Sequence, residues 1–281
     1  RARISRFAIG RGLRWYVAPF VVPPALKKAW PFDVLRVHSL KGMGPACLLA
    51  RRRYGWSVPI VAHHHHLDGT GPWPIERWVI QHVDAVIVGS FYARAQLAAH
   101  GFRTDHVRVI PYGIDERFAP AAIPGPHDGV IVGTLGGLKA RKNPKLLLQV
   151  WRAVDRPKAS LRVAGGLRGY VKEADKVAWY RGCDVFISTS SREGFGFTVG
   201  EAMSTGVPVV TSDAGSLPEL VGKAGFLCDT AEAYVTALCL LIDEPPVRRL
   251  FGEAGRERVD RHFRWDRCVK ETMAVYEEMV R

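Results

Sequence analysis

Short apolar runs rich in β-branched residues alternate with helical patterns along this chain, and this alternation most constrains its fold. The runs are hydrophobic throughout, which predicts strands that are buried on both faces and paired in parallel. Their alternation with helices predicts a doubly wound α/β architecture. The predicted strands are 33–37, 58–62, 85–89, 107–110, 129–133, 161–164, 184–188 and 207–211. The predicted helices are 45–54, 74–82, 91–100, 144–154, 197–205, 231–242 and 263–281.

Residues 120–127, PAAIPGPH, are rich in proline and alanine and have no periodic pattern. Because they separate two strand–helix series of comparable size, they are typical of an inter-domain linker. We therefore expect Rossmann-like domains over residues 1–119 and 120–262. A C-terminal helix over 263–281 either covers a sheet or crosses back to the first domain. We also expect that the start of the first domain is missing, and that residues 170 and 171 join two pieces of a longer chain.

The formal net charge of +13 is unevenly distributed. Residues 1–60 contain twelve Lys or Arg and a single acid, Asp33. Trp, Tyr and Phe side chains lie among them, including those at positions 15, 16, 20, 30, 54 and 56. Such a segment predicts a surface for anionic membrane lipid or an acidic acceptor, or else a solvated face that only aids solubility. No nucleic-acid-binding motif accompanies the charge, so a nucleic-acid partner is not expected.

The five cysteines are widely spaced and form no Cys-x-x-Cys pair. This pattern favours neither a disulfide framework nor a zinc site, and it fits a reducing cytoplasm. No apolar run is long enough to span a bilayer, and no signal-peptide pattern is visible. We expect a cytoplasmic protein, peripheral at the inner face of the membrane if the basic segment binds lipid.

The densest group of chemically informative residues is 190–208, SSREGFGFTVGEAMSTGVP. It forms a predicted strand–loop–helix unit at the carboxyl end of a strand, where open α/β sheets bind ligands. Glycines and a helix N-terminus allow backbone N–H groups to approach a phosphate. Glu193 in the loop and Glu201 in the helix can accept hydrogen bonds from sugar or ribose hydroxyls. The alternative is that both acids only stabilise the helix dipole.

This stretch resembles the signature of glycosyltransferase family 4. The resemblance is carried by Glu193 and Glu201, which are separated by seven residues, and by the AM and GVPVV that follow Glu201. The resemblance implies a GT-B fold, two Rossmann-like domains that face a cleft, and sugar transfer with retention from a UDP-, GDP- or ADP-linked donor. It implies that Glu193 contacts the donor sugar and Glu201 the ribose. It also implies that backbone amides of Phe195, Gly196 and Phe197 contact the diphosphate or sugar. No metal and no cofactor besides the nucleotide sugar are expected.

A second match is residues 132–144, VGTLGGLKARKNP, in which Gly133 ends a predicted strand. The resemblance implies that Gly133 lies at the donor and that Arg141 and Lys142 neutralise its diphosphate. Fixed cations stabilise the charge of a departing nucleoside diphosphate. Thr134 is a departure, since many members carry Arg there. A third match, residues 109–115, predicts packing at the end of the first domain, with Gly113 in a turn that needs a positive φ.

Four consecutive histidines, 63–66, follow a predicted strand. Because successive residues of a strand point to opposite faces, the four cannot bind one metal ion together, and no metal site is expected. The resemblance implies a histidine near the donor sugar, with His64 as the catalytic candidate. His65 is the other candidate in this run and is assigned to the acceptor side. His38 follows another predicted strand and is either an acceptor contact or a core histidine.

These patterns lead to one expected function and two alternatives. We expect a retaining glycosyltransferase that moves a hexose from a nucleotide diphosphate sugar to a hydroxyl of a sugar, lipid-linked or small-molecule acceptor. Its product would be a glycan, a glycolipid or a glycosylated metabolite. No protein nucleophile is expected, because the leaving phosphate can act as the base on the same face. The alternatives are a GT-B phosphorylase or other nucleotide-independent sugar transferase, and a non-catalytic basic binding protein.

Overall fold

The computed structural model describes residues 14–38, 40–65, 74–119, 128–136, 140–165 and 169–281. The chain divides into two compact units, one formed by Arg1–Pro111 with Val269–Arg281 and the other by Tyr112–Cys268. This boundary falls before Tyr112, whereas the sequence pattern placed a domain boundary after residue 119. The expected linker, 120–127, lies outside the described residues.

The first unit contains a four-stranded parallel sheet in the order β1-β2-β3-β4. Its strands are β1 (Leu35–Val37), β2 (Ile60–His64), β3 (Ala85–Val88) and β4 (Val107–Val109). Its helices are α1 (Arg14–Ala29), α2 (Met43–Tyr54), α3 (Pro74–His82) and α4 (Phe91–Ala99). Every residue of β2 and β3 is buried, which is the environment that their continuous apolar sequences predict.

The second unit contains a five-stranded parallel sheet in the order β6-β5-β7-β8-β9. Its strands are β5 (Val130–Leu135), β6 (Ala159–Ala164), β7 (Val185–Ser188), β8 (Val209–Ser212) and β9 (Phe226–Cys228). Its helices are α5 (Pro144–Ala153), α6 (Lys176–Arg181), α7 (Phe197–Ser204), α8 (Leu217–Val221), α9 (Ala231–Asp243) and α10 (Pro245–His262), with 3₁₀ turns at Glu116–Phe118 and Ala140–Lys142. The chain leaves β5 towards β6 and returns on the other side to β7, so the order of strands reverses between β5 and β7.

An aspartate aligns the strands of each sheet in the same way. The carboxylate of Asp84 accepts a hydrogen bond from the backbone N–H of Ile60 at 2.8 Å, and its own N–H donates to the Ile60 carbonyl at 3.0 Å. Asp184 makes the equivalent pair of bonds with Ile131, at 2.7 and 2.8 Å. Each aspartate thus fixes the register of one strand against its neighbour.

All eight predicted strands are present, with ends shifted by no more than two residues. The three-residue β9 and four helices, α1, α6, α8 and α10, were not predicted. Helix α1 contains three prolines, which argue against a helix in sequence, and α6 and α8 have only six and five residues. Helix α10 begins at Pro245, where proline is compatible with a helix start.

The last helix, α11 (Trp265–Val280), begins two residues later than predicted. The preceding residues are held by the segment after β4: the N–H of Ile114 donates to the carbonyl of Phe263 at 2.7 Å. Residues 269–281 of this C-terminal segment belong to the first unit, where Glu278 accepts a hydrogen bond from Arg108 at 2.6 Å. All five cysteines are free thiols. Among the described residues, no helix combines the length and apolar character needed to cross a membrane.

Candidate active site

The loops that follow β5 and β7 lie side by side at the point where the strand order reverses. This is where a doubly wound sheet opens a crevice for ligands. The N–H of Ser191 donates to the carbonyl of Arg141 at 2.8 Å, and the Thr189 hydroxyl donates to the carbonyl of Lys142 at 2.9 Å. Because these bonds tie the two loops together, residues about fifty positions apart in sequence share one site.

The carboxylate of Glu193 is the centre of this site. Its Oε1 atom accepts hydrogen bonds from Lys142 Nζ at 2.6 Å, Arg141 Nη1 at 3.1 Å and Ser190 Oγ at 3.0 Å. The side chains of Glu193 and Lys142 are only 10% and 12% exposed, whereas that of Arg141 is 49% exposed. The acid and both cations predicted from sequence therefore meet at a single oxygen, with an excess of one positive charge among the three.

The backbone of Glu193 is held in place by residues that the sequence did not indicate. Its carbonyl accepts hydrogen bonds from the N–H and the hydroxyl of Ser216, at 3.0 and 3.1 Å. Gly215 has a φ of +65°, and a Cβ there would lie 2.4 Å from the Glu193 carbonyl oxygen. The Ser212 hydroxyl donates to the carbonyl of Ser190 at 2.5 Å. These contacts fix the loop before any ligand arrives.

Helix α7 begins beside this loop without a side-chain cap. Gly196, at its N-terminal cap, has φ of 95° and ψ of 42°, and its neighbours Val199 and Gly200 donate to its carbonyl. A Cβ at Gly196 would lie 2.7 Å from a methyl group of Leu217, so both backbone conformation and space favour glycine. The first N–H groups of a helix have no partner within the helix, which makes this start suitable for an anion.

The two aromatic residues beside Gly196 differ in their surroundings. Phe195 is buried and packs edge-to-face against Tyr112, with ring centroids 5.3 Å apart. Phe197 is exposed and stacks on the same tyrosine at 5.6 Å. The side chain of Phe195 is therefore part of the core, and only backbone groups at this position are suited to the predicted donor contact.

Glu201 lies on α7 in a second, more enclosed environment. Its Oε2 atom accepts a hydrogen bond from the Tyr180 hydroxyl at 2.7 Å, and its Oε1 atom accepts one from Lys176 Nζ at 3.3 Å. Burial raises the pKa of Glu201 above its ordinary value, although the hydrogen bonds from Tyr180 and Lys176 oppose this effect. Burial also raises the pKa of Tyr180 well above 10, so its phenol stays protonated and remains a donor.

Lys176 and Tyr180 were missed because α6 was not predicted. They are four residues apart, and that spacing places them on one face of a helix. The sequence did contain a signal for these residues. A lysine and a tyrosine occur at helical spacing shortly before the strand that leads to Glu193.

Two glycines that the sequence singled out have structural explanations. Gly133 lies inside β5, where a Cβ would come within 2.4 Å of Cys183 Sγ, so close packing requires the glycine. The strand continues to Leu135 and does not end at Gly133 as predicted. Gly133 retains its donor-binding role only as a prediction. The expected positive φ at Gly113 is wrong: its φ is not positive, and a Cβ there would meet the backbone of Trp265 at 2.6 Å.

The histidines belong to the first unit. His63 and His64 are the last residues of β2 and are buried, while His65 follows the strand and His38 follows β1. The Nδ1 atom of His38 lies 2.9 Å from Nε2 of His65, and the ring of His38 also stacks on His63 with centroids 4.7 Å apart. The structure therefore brings His38, His63 and His65 together, although the sequence indicated no role for His63.

The charge state of two of these imidazoles follows from their environment. Burial, together with the positive charge of Arg36, lowers the pKa of His38 to about 4 and that of His63 to about 2. Arg36 Nε donates a hydrogen bond to His63 Nε2 at 3.1 Å. His38 and His63 are thus neutral near pH 7.

Comparison with known proteins identifies the family. A model described as Glycosyltransferase Family 4 matches residues 1–118, and one described as Glycosyl transferases group 1 matches residues 129–244. Together these ranges cover most of the 281-residue chain. The chain belongs to the family 4 glycosyltransferases and is a glycosyltransferase with the GT-B fold.

Similar proteins support this assignment. A D-inositol 3-phosphate glycosyltransferase of Saccharomonospora viridis is 29% identical, over 88% of this chain and 70% of that protein. An alpha-maltose-1-phosphate synthase of Mycolicibacterium smegmatis is 27% identical, over 84% and 76%. Among solved structures, sucrose-phosphate synthase from Thermosynechococcus elongatus has a TM-score of 0.80 at 20% identity, over 97% and 80% of the two chains. Anabaena HepE, in complex with UDP and glucose, has a TM-score of 0.74 at 20% identity, over 90% and 80%.

Proposed function

We propose that this glycosyltransferase transfers a hexose from a nucleotide diphosphate sugar to an acceptor hydroxyl, with retention at the anomeric carbon. The observation that carries the proposal is the meeting of Lys142, Arg141 and Glu193 at one carboxylate oxygen, beside the uncapped start of α7. The cations and backbone N–H groups can bind a diphosphate. The carboxylate of Glu193 can accept hydrogen bonds from sugar hydroxyls.

The leaving diphosphate is the group that the cations would stabilise. Lys142 has three N–H bonds, and its bond to Glu193 leaves others for phosphate oxygens. Arg141 presents a planar fork that can hold a phosphate through two hydrogen bonds. Negative charge grows on the diphosphate as the bond to the sugar breaks, and fixed cations stabilise that charge without reorganising.

The two carboxylates are suited to hydroxyl groups of the donor. Glu193 would orient the hexose, because a carboxylate can accept about four hydrogen bonds and the sugar can join the protein donors already present. Glu201 would accept from the ribose by the same reasoning, with Tyr180 and Lys176 holding its position. We assign no protein nucleophile: the leaving phosphate oxygen would take the acceptor proton on the same face. The resemblance to the family assigns a histidine after β2 to the donor sugar, and His64 keeps that role in this proposal.

The comparisons support the choice of donor and acceptor class. Anabaena HepE is solved with UDP and with UDP-glucose. Several similar proteins are named as lipopolysaccharide or O-antigen mannosyltransferases. We therefore propose a nucleotide-linked hexose donor and a sugar, lipid-linked or small-molecule acceptor in the synthesis of a glycan, a glycolipid or a glycosylated metabolite. The reaction at the donor centre is proposed to need no metal ion.

Release of nucleoside diphosphate tests this proposal. The wild-type protein is incubated with UDP-, GDP- and ADP-hexoses and a panel of acceptors, beside Glu193→Gln and the control Glu253→Gln, which alters an exposed acid of α10. We expect turnover with one donor class and a loss of about a hundredfold or more in Glu193→Gln, the size seen when a preorganised transition-state contact is removed. Equal rates in the two variants would remove the role of Glu193. Turnover that requires inorganic phosphate would instead support the phosphorylase alternative.

We further propose that the first unit associates with an anionic membrane surface. Trp30 and Trp56 stack with ring centroids 4.9 Å apart, and Trp30 is exposed. Lys27 and Arg53 lie over the ring of Tyr54, at 5.4 and 5.8 Å from its centroid. Aromatic rings beside basic side chains are suited to the headgroup region of anionic lipid.

Sedimentation with lipid vesicles tests this membrane proposal. The protein is expected to sediment with anionic but not neutral vesicles at low salt, and Trp30→Ala should reduce the fraction that sediments. Equal sedimentation with both vesicle types, or none, contradicts the proposal.

A further inference from the structure

Three imidazoles come together at the carboxyl end of β1 and β2. One ring nitrogen from each of His38, His63 and His65 lies within 4.8 Å of the others. His63 and His65 are two positions apart and so share one side of the chain. Val37 pairs with Ala62, which places His38 beside His63 on the neighbouring strand. The side chains of the four consecutive histidines alternate between two faces. That pattern alone did not reveal this cluster, because His38 follows a different strand.

The chemistry of the three rings is that of a metal-binding set. Transition metals bind imidazole through a ring nitrogen, and each of the three rings brings one such nitrogen to the cluster. The Nδ1 atom of His63 is buried and has no hydrogen-bond partner among the described residues. Since Nε2 of that ring accepts from Arg36, Nδ1 carries the proton and lacks an acceptor, which costs stability. Coordination of a metal ion by Nδ1 would remove that mismatch, because the ring proton would then lie on Nε2 and Arg36 would turn away from the ring.

Arg36 is the group that opposes occupancy, both by its charge and by its hydrogen bond to His63. Its side chain is exposed, so it can turn away when an ion enters. Three ligands at about 2.0–2.1 Å from a tetrahedral zinc ion have nitrogen atoms roughly 3.4 Å apart. The nitrogens of His38 and His65, 2.9 Å apart, are close to that spacing, and a ring nitrogen of His63 lies within 4.8 Å of both. The three rings lie nearly parallel, at interplanar angles of 1° to 23°, so they must rotate to direct their nitrogens at one ion.

We propose that His38, His63 and His65 bind one divalent transition-metal ion of the zinc class, with the fourth position open to water or an oxygen ligand. The choice of ion follows from the ligands, because an all-imidazole set suits zinc, cobalt, nickel or copper and not magnesium or calcium. None of these three histidines has a role in the donor chemistry proposed above, which uses Glu193, Arg141 and Lys142 of the second unit and His64.

Zinc and cobalt titrations of the full chain test the site. Four consecutive histidines bind such metals even in an unfolded chain, so the informative substitution is His38→Gln, which lies outside the run. Zinc affinity is measured by competition with a chelating dye, and Co²⁺ absorption reports tetrahedral geometry. We expect one ion per chain and a loss of at least about tenfold in affinity for His38→Gln, since loss of an outer partner of a metal ligand alone costs that much. His100→Gln, at an exposed position on another loop, should match the wild type.

Two further samples complete the test. Arg36→Gln removes the competing charge and donor, so its zinc affinity should rise. The chain unfolded in urea should bind more weakly than the folded protein and should show no difference between wild type and His38→Gln. The proposal is overturned if the folded wild type binds no better than the unfolded chain, or if His38→Gln binds zinc as tightly as the wild type. Circular dichroism of each variant distinguishes loss of the site from loss of the fold.

Discussion

Glu193 and Glu201 stand at either end of one short stretch of the second unit, yet their surroundings are opposite in kind. Glu193 shares one oxygen with two cations and a hydroxyl, and Arg141, one of these cations, is largely open to solvent. Glu201 is enclosed by a fully buried phenol and a lysine. Cations held by an acid at an open crevice can be redirected to a ligand, whereas a buried carboxylate with dedicated donors is already in its final position.

Because of this difference, we expect substitutions at Glu193 to affect mainly ligand binding and substitutions at Glu201 to affect mainly stability. The bonds around Glu193 connect loops that follow β5 and β7, so a phosphate can replace the carboxylate as the partner of the cations. The bonds around Glu201 connect α6 to α7, so their loss should weaken packing before it weakens ligand binding. Substitutions at the two carboxylates should therefore fall into two classes.

Tyr180→Phe should give the larger effect on stability. It removes the donor to Glu201 and leaves a buried carboxylate with Lys176 alone. We expect the free energy of unfolding to fall by about 1.5 kcal/mol, the lower end for a hydrogen bond to a charged group, because Lys176 remains. Urea unfolding measures this, with Tyr170→Phe at an exposed position as the matched control. An unchanged unfolding midpoint would mean that the two carboxylates do not differ as described.

Glu201→Gln should change the pH dependence of stability by a smaller amount. The folded carboxyl group has a pKa above its ordinary value of 4.5, so the folded protein holds this proton more tightly than the unfolded chain. Its contribution to stability is therefore full below pH 4.5 and is lost as pH rises through the folded pKa. The wild type should lose stability relative to Glu201→Gln over this window, as followed by urea unfolding at each pH. A difference that stays constant with pH, or grows in favour of the wild type, would contradict the role of burial.

The architecture could be predicted from sequence because its strands are buried on both faces. Continuous apolar runs such as 85–89 and 184–188 are stable only where both faces are buried, and each run forms a buried strand. Short or atypical elements were less accessible: α1 contains prolines, and β9 has three residues. Their formation depends on neighbours that are remote in sequence, so local pattern could not reveal them.

The charged side chains of the candidate site could be predicted from sequence, but the residues that hold them in place could not. Glu193, Arg141 and Lys142 were identified by motif, and the structure places them in direct contact. Ser216 and Tyr180 lie outside the motifs, and they matter only because loops or helices meet in space. The histidine cluster shows the same limit, since His63 gains its partner His38 from a neighbouring strand.

Calorimetric binding of UDP, GDP and ADP to wild type, Lys142→Ala and Lys145→Ala tests most directly whether the cations beside Glu193 hold a nucleotide diphosphate. Lys145 is an exposed lysine of α5 and serves as the matched control. We expect the wild type and Lys145→Ala to bind one of the three diphosphates equally well. Lys142→Ala should bind it roughly tenfold to a hundredfold more weakly, as expected for the loss of a charged hydrogen bond. Equal affinity in all three proteins, or no binding of any diphosphate to the wild type, would contradict the account.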